Sequence, residues 1–249
     1  MQRSKTRLDE LLVESGLAEN RQKAHALILA GRVFVDSQKV EKPGTLVSAA
    51  ASLEVRGSRR FVGRGGEKLW GALEHFQIQV SQRVCVDLGS STGGFVDCLL
   101  KRGASRVYAF DVGRGQMAWN LVSDPRVSLR DQYNVRYLRG ADIPQRFFLM
   151  TVDLSFISLR LVLPAIAGAF RERGEPEALL LALVKPQFEL PANRIAAGGM
   201  VIDEAEARQT VQQVIQEAFQ QGFANAATFP SPLRGAEGNQ EYFVKVAAQ

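Results

Sequence analysis

From Gly66 onward the chain alternates short apolar runs with longer stretches of helical spacing, and few folds accept that rhythm. The runs "RVCVDLG", "RVYAFDVG", "RVSLRDQ", "RFFLMTVDLS" and "EALLLALVKPQF" read as strands, and "QEYFVKVAA" as a closing one. Helices are expected at "GEKLWGALEHF", from Gly93 to Arg102, near "QMAWNLV", at "LRLVLPAIAGAFRER" and at "DEAEARQTVQQVIQEAFQQ". The stretch "FANAATFPSPL" reads as the approach to the last strand. Strands that alternate with helices predict a mostly parallel, doubly wound sheet buried on both faces. In such a sheet, ligands sit beyond the carboxyl ends of the strands.

The first quarter of the chain obeys different rules. Leu8, Leu11, Leu12 and Val13 fall at helical spacing before Gly16, and a second helix is expected from Arg21 to Ala30, stopped by Gly31. "RVFVD" follows as a short strand, and "EKPGTLV" and "ASLEVRG" complete a small unit ending near Arg56. "RGSRRFVGRGG" then reads as a basic, glycine-rich linker. Residues 1–66 hold 12 Lys and Arg against 7 Asp and Glu, which accounts for the whole net charge of +5. A compact basic segment beside a neutral one predicts a polyanionic partner. Arg7, Arg21, Lys23, His25, Arg32 and Lys39 are the candidate contacts, suited to phosphates rather than base edges. With Phe34 and Phe61 the only aromatics before position 70, recognition of the polyanion's folded shape is expected over base stacking. No apolar run approaches a membrane span, and the N-terminus lacks the apolar core of a secretory signal. Cys85 and Cys98 form neither a metal-ligand pattern nor a disulfide framework. The expected address is the cytoplasm, with no metal and no membrane partner.

"VDLGSSTGGF" raises the question of a ligand. It lacks the three spaced glycines of a dinucleotide site, and no Gly-Lys-Ser/Thr follows to grip a triphosphate. An acid, Asp87, ends the strand instead, and small residues follow that let a ligand lie against the backbone. The next strand ends in Asp111, placed to accept ribose hydroxyls. Carboxylates here disfavour a pyrophosphate and favour a cationic nucleoside, and S-adenosylmethionine fits. The expected cofactor residues are Asp87, Gly89, Ser90, Ser91, Thr92, Gly93 and Phe95 in the turn. Asp111 and Val112 follow at the second strand end, with Gln132 and Asn134 near the adenine.

Five separated motifs add a resemblance. "ENRQKAHALILAGRVFVD" is similar to the small RNA-binding domain first described in a small-subunit ribosomal protein. "RGGEKL", "VDLGSSTGGF", "TVDLSFISL", "ALVKPQFE" and "NQEYFVKV" resemble the FtsJ-like ribose methyltransferases. The two in this order resemble the TlyA (haemolysin A) family of ribosomal RNA methyltransferases. The resemblance implies a Rossmann-like class I methyltransferase, with a mostly parallel seven-stranded α/β sheet and a small N-terminal α+β RNA-binding domain. Residues 1–57 form the small domain, 58–65 the linker and 66–249 the methyltransferase domain on this reading. It also implies a catalytic tetrad on Lys68, Asp153, Lys185 and Glu241, with ribosomal RNA or ribosomal subunits as partner.

The chemistry of such a set stands by itself. A ribose 2′-hydroxyl is a poor nucleophile at neutral pH, so the enzyme must align it with the methyl group and help it lose a proton. Lys185 follows the apolar run "ALLLALV", and a lysine in a partly dry cleft yields its proton more readily than one in water. Asp153 and Glu241 would orient the lysines and balance their charge. Rival functions are an RNA-binding protein that has kept the fold without catalysis, a membrane-lytic haemolysin, a pseudouridine synthase and a nicotinamide dehydrogenase. The intact tetrad opposes the first, and the absence of an export signal or apolar span opposes the second.

Overall fold

The computed structural model describes residues 5–56 and 60–248. The chain divides into two compact units, residues 1–59 and 60–249.

The first unit packs two helices on short strands. β1 (Lys5–Arg7), α1 (Leu8–Glu14), α2 (Arg21–Leu29), β2 (Val33–Val35), β3 (Gln38–Lys39), β4 (Leu46–Ser48) and β5 (Leu53–Val55) follow in order. β1 pairs with β4, and β2 lies between β3 and β5 in an antiparallel sheet. The Asn20 side chain caps α2 by accepting from the Lys23 backbone N–H at 2.9 Å. Leu8 and Leu12 of α1, Ala24 and Ile28 of α2, and Val33 of β2 make the core. The helical members recur every four residues, the spacing that places side chains on one helix face.

The second unit opens with α3 (Arg64–His75), then β6 (Val84–Leu88), α4 (Gly94–Lys101), β7 (Arg106–Phe110), α5 (Trp119–Val122) and β8 (Val127–Arg130). β9 (Phe147–Val152), α6 (Leu163–Arg173), β10 (Gly174–Val184), α7 (Pro186–Glu189), α8 (Glu204–Gln220), β11 (Phe223–Pro230) and β12 (Tyr242–Ala248) complete it. The seven strands lie in the order β11-β12-β10-β9-β6-β7-β8. β8, β7, β6, β9 and β10 run parallel, while β12 is antiparallel to both its neighbours. This is the doubly wound α/β sheet expected from the alternation.

Strand residues two apart share a face and adjacent ones divide between the two, as the pleat demands. Val86, Leu88, Met150 and Val152 join Ile166 and Phe170 of α6 and Val211 and Val214 of α8 on one side. Cys85, Val107, Leu149 and Leu181 join Leu69 and Leu73 of α3 and Val96 and Leu99 of α4 on the other. The crossover changes direction at β6, which has β7 on one side and β9 on the other. That switch point opens the sheet at its carboxyl edge.

Three expectations are corrected. Within the expected linker, residues 58 and 59 lie outside the described residues, but 60–65 belong to the second unit. Phe61 is 2% exposed in the α3–α4 core, Arg60 stacks 3.3 Å over the Trp70 ring, and α3 already begins at Arg64. An apolar ring and a cation over an indole outweigh the local glycine content. The first eight residues of "FANAATFPSPL" are themselves edge strand β11; its register breaks between Ala224 and Ala227, and Asn225 takes a left-handed φ of +55°. That break hides the two-residue period, and the proline at its end is tolerated on an edge. The helix near "QMAWNLV" shrinks to the four residues of α5.

Phe61→Ala tests the first correction. A buried phenylalanine lost to alanine costs about 3–5 kcal/mol, whereas a linker residue costs almost nothing. Denaturant unfolding of the full chain reads the difference, and an unchanged midpoint would return residues 60–65 to the linker.

Candidate active site

β6 ends at Leu88, and the chain turns on Gly89 with φ +85°. A Cβ at Gly89 would overlap the carbonyl oxygen of Asp153, so the turn can lie against the end of β9 only without a side chain. Asp87, two residues earlier, is fully buried. Its Oδ1 accepts from the Thr151 hydroxyl at 2.6 Å, while Oδ2 has no hydrogen-bond partner among the described residues. Burial pushes the Asp87 carboxyl up to about 7; the Thr151 hydrogen bond opposes this, and Asp153 and Asp111 add to it. The buried Ser90 hydroxyl is likewise without a partner there. Asp111, at the end of β7, accepts from the backbone N–H of Ser91 and of Gly113, each at 2.7 Å. One carboxylate thus ties the first strand-end turn to the second.

A cleft of 420 Å³ opens here, walled by Gly89, Ser91, Asp111, Val112, Tyr133, Asn134 and Asp153, with the Leu154–Ile157 segment along one side. A second cleft of 190 Å³ is lined by Arg64, Lys68, Lys185, Phe188 and Glu241, and it shares Ser155 and Phe156 with the first. Two ion pairs stand at this junction. Lys68 Nζ lies 2.5 Å from Glu241 Oε2, with side chains only 10% and 3% exposed. Lys185 Nζ lies 2.7 Å from Asp153 Oδ1 and donates to the Ser155 hydroxyl at 2.9 Å. Burial raises the Glu241 carboxyl above its ordinary value; Lys68, then Lys185, pull against it, and Asp153 reinforces it. The four groups therefore sense one another as a single electrostatic cluster. Phe156 projects between the clefts, 89% exposed, with a left-handed φ of +63° and its ring 5.1 Å from that of Phe188. A non-glycine residue held there stores strain, which is common at functional loops.

The structure brings Lys68, Asp153, Lys185 and Glu241 together. It brings Gly89, Ser91, Asp111, Val112 and Asn134 to the first cleft. It does not bring Asp87, Ser90, Thr92, Gly93, Phe95 or Gln132 to that cleft's wall; Asp87 and Ser90 are buried behind it. Phe95 is buried in the core against Phe243, because it lies on the inner face of α4. Gly93 serves as the left-handed N-cap of α4, beneath Leu121. The sequence points to the stretch that holds Tyr133 but not to the Ser155–Phe156 segment. The motif "TVDLSFISL" signalled the latter, but only its charged residue stood out.

In the first unit a buried aspartate gathers the basic residues. Asp9 is fully buried and receives Arg7 at 3.0 and 2.9 Å, Arg21 at 2.8 Å and His25 at 2.7 Å. The hydrogen bond from Arg7 leads in holding this carboxyl well below the usual range, overcoming the cost of burial. Arg32 donates to the Arg56 carbonyl at 3.2 Å, and Lys39 is paired with Glu41 at 2.5 Å. Lys23 makes no ion pair among the described residues. Among those residues, no group of three or more His, Cys, Asp or Glu is arranged to hold a metal ion.

Comparison with known proteins follows this division. The FtsJ-like methyltransferase family matches residues 61–247, and the S4 domain family matches residues 6–52. The "16S/23S rRNA (cytidine-2'-O)-methyltransferase TlyA" of Mycobacterium tuberculosis is 44% identical over 247 residues, 98% of this chain and 91% of that protein. "Hemolysin A" of Brachyspira hyodysenteriae is 37% identical over 240 residues, 95% of this chain and 97% of that one. A solved chain from Streptococcus thermophilus, 35% identical, superposes with a TM-score of 0.73 over 99% of this chain and 90% of its own.

The buried strand-end acid has a measurable signature. Asp87 titrates near 7 when folded and near its ordinary 3.8 when unfolded. Between those values the folded protein holds a proton that the unfolded chain has lost. Its contribution to stability is therefore fully present below the lower value and lost as pH rises through the upper one. Asp87→Asn cannot ionise, so it should gain stability relative to wild type as pH is raised from about 5 to about 8. Urea unfolding of both proteins across that range measures the gain; parallel stability curves would show that burial does not hold this proton.

Proposed function

The chain belongs to the TlyA (haemolysin A) family, an S4 domain joined to an FtsJ-like methyltransferase domain, and from that premise we propose that it methylates a ribose 2′-hydroxyl of ribosomal RNA. The observation that carries the reading is the pair of ion pairs, Lys68–Glu241 and Lys185–Asp153, where the two clefts meet. The relative from Mycobacterium tuberculosis is named for cytidine, and a cytidine is the nucleotide proposed here.

The larger cleft suits S-adenosylmethionine. The partnerless oxygen of Asp87 and the hydroxyl of Ser90 mark an environment short of a cation or donor at the end of β6. Asp111 stands on the cleft wall as an acceptor for ribose hydroxyls, and the Tyr133–Val135 segment offers a flank for the adenine. When bound there, the cofactor supplies a methyl group activated by its sulfonium. The chain's own part is to place the 2′-oxygen and take its proton. Lys185, in its amine form, accepts that proton at Nζ, and Asp153 and Ser155 then hold the resulting ammonium. Lys68 and Glu241, nearly free of water, fix the opposite side of the acceptor cleft. Low dielectric strengthens each of these interactions.

The first unit would supply affinity rather than chemistry. Its surplus charge suits phosphates, and Asp9 holds Arg7, Arg21 and His25 in a fixed array instead of leaving them to solvent. This reading places the chain with ribosomal subunits, in the cytoplasm. Among the described residues, no helix is long and apolar enough to cross a membrane. The name Hemolysin A belongs to the Brachyspira relative and adds no membrane chemistry to these clefts.

Two outcomes follow. Lys185→Arg keeps the charge but cannot serve as a base at accessible pH, so single-turnover methylation of ribosomal subunits should fall by about 10²-fold or more. S-adenosylmethionine affinity, measured by calorimetry, should be nearly unchanged. Near-wild-type transfer would leave Lys185 only a positioning role. Removing Arg21 and Lys23 together should weaken RNA binding and flatten its salt dependence by about two charges, with cofactor binding untouched. RNA affinity that survives intact would assign the first unit another partner.

A further inference from the structure

Glu189 is a carboxylate that the proposed chemistry does not use, yet its side chain is only 1% exposed. It lies at the end of α7, four residues beyond Lys185. Among the described residues, all its side-chain partners stand on the segment that follows Asp153. Oε1 accepts from the Leu159 backbone N–H at 2.7 Å, and Oε2 accepts from the Ser158 hydroxyl at 2.5 Å and from Arg160 Nε at 3.4 Å. The Glu189 carbonyl also accepts from the Arg160 guanidinium at 3.2 Å. Removing a carboxylate from water costs several kcal/mol, and an apolar side chain of the same size would avoid that cost. A buried acid whose contacts all reach one loop therefore points to the loop's placement.

That loop has particular needs. Between Asp153 and Ser158 it carries the partners of Lys185 and the strained Phe156. At its start the Asp153 N–H donates to the Leu88 carbonyl at 2.9 Å. At its far end, Glu189 provides the anchor. Lys185 and Glu189 leave the end of β10 together, and Asp153 and Ser158 leave the end of neighbouring β9. Two cross-links, Lys185 to Asp153 and Glu189 to Ser158–Arg160, thus join the same two chain segments.

We propose that Glu189 is a positioning residue: by clamping residues 158–160 to the end of α7 it holds the 153–158 loop, so that Asp153 and Ser155 face Lys185 at the junction of the two clefts. The inference rests on the methyl-transfer reading for its rate effect, but not for the anchoring itself. Glu189→Gln keeps the size and removes the charge, leaving an amide N–H₂ where two donors now converge.

The full-length variant is tested in two ways. Single-turnover methylation of ribosomal subunits should slow by about tenfold to a hundredfold, the cost of a misplacement on the order of 1 Å. The unfolding temperature should stay near wild type. Ser158→Ala should slow transfer less, and adding it to Glu189→Gln should slow it no further, because the two act through one contact. Hydrogen exchange across residues 153–160 reads the anchoring with no reaction required, and the amides there should exchange faster in Glu189→Gln. Unchanged exchange and rate in the folded variant, or losses that add independently with Ser158→Ala, would overturn the proposal. Should Glu189→Gln fail to fold, Ser158→Ala and Arg160→Gln remove the same contacts from the more exposed partner side and give the same two readouts. A wild-type protein that transfers no methyl group, with exchange still faster in the variant, would refute the methyl-transfer reading and leave the clamp standing.

Discussion

A lysine and a glutamate 173 residues apart meet at 2.5 Å with almost no contact with water, and the second unit is built so that they can. Lys68 stands on α3, before the first strand of the sheet, and Glu241 immediately precedes its last. Burying both charges costs several kcal/mol per ion before their attraction returns anything. A well-packed leucine pair would hold these elements together at less cost. What the ion pair supplies is placement: two charges fixed in a dry wall, beside a second ion pair. The raised carboxyl of Glu241 reflects this compromise, since burial outweighs the pull of both lysines.

The shared wall of the two clefts carries as much of the design as the charges do. Ser155 and Phe156 border both spaces, and Asp153 on the larger cleft reaches Lys185 on the smaller. A donor in one space and an acceptor in the other would therefore meet across the short 153–156 segment. Such a thin partition has to be rigid, because in-line transfer tolerates little displacement. Backbone strain at Phe156 and the buried contacts at Glu189 both bear on that rigidity, one as a cost and the other as a restraint.

Much of this was legible in the sequence, and the gaps have physical causes. Alternating runs revealed the parallel strands because each is buried on both faces, so Val, Leu and Phe crowd together. β11 escaped because it is an edge strand with a left-handed Asn225 and a register break. The tetrad could be named from its motifs, but not its pairing. Nothing in the spacing says that Lys68 meets Glu241 rather than Asp153. Phe95 was misread because a residue just after a ligand turn looks like a ligand residue, whereas the first turn of α4 points it into the core. Asp9 was invisible as an organiser, since an acid among basic residues reads as mere charge balance until its burial is known.

The antiparallel placement of β12 has a consequence for how the protein comes into being. β11 does not touch β10; β12 returns and inserts between them. A nascent chain that has emerged as far as β11 has all five parallel strands, yet its sheet ends at β10 with an unpaired edge. In that state Lys68 is an uncompensated charge facing the space where Glu241 belongs. Contacts of such long range form late and slowly. Closure of the sheet and completion of the smaller cleft are therefore one event in time, and a chain still being extended beyond β11 holds neither.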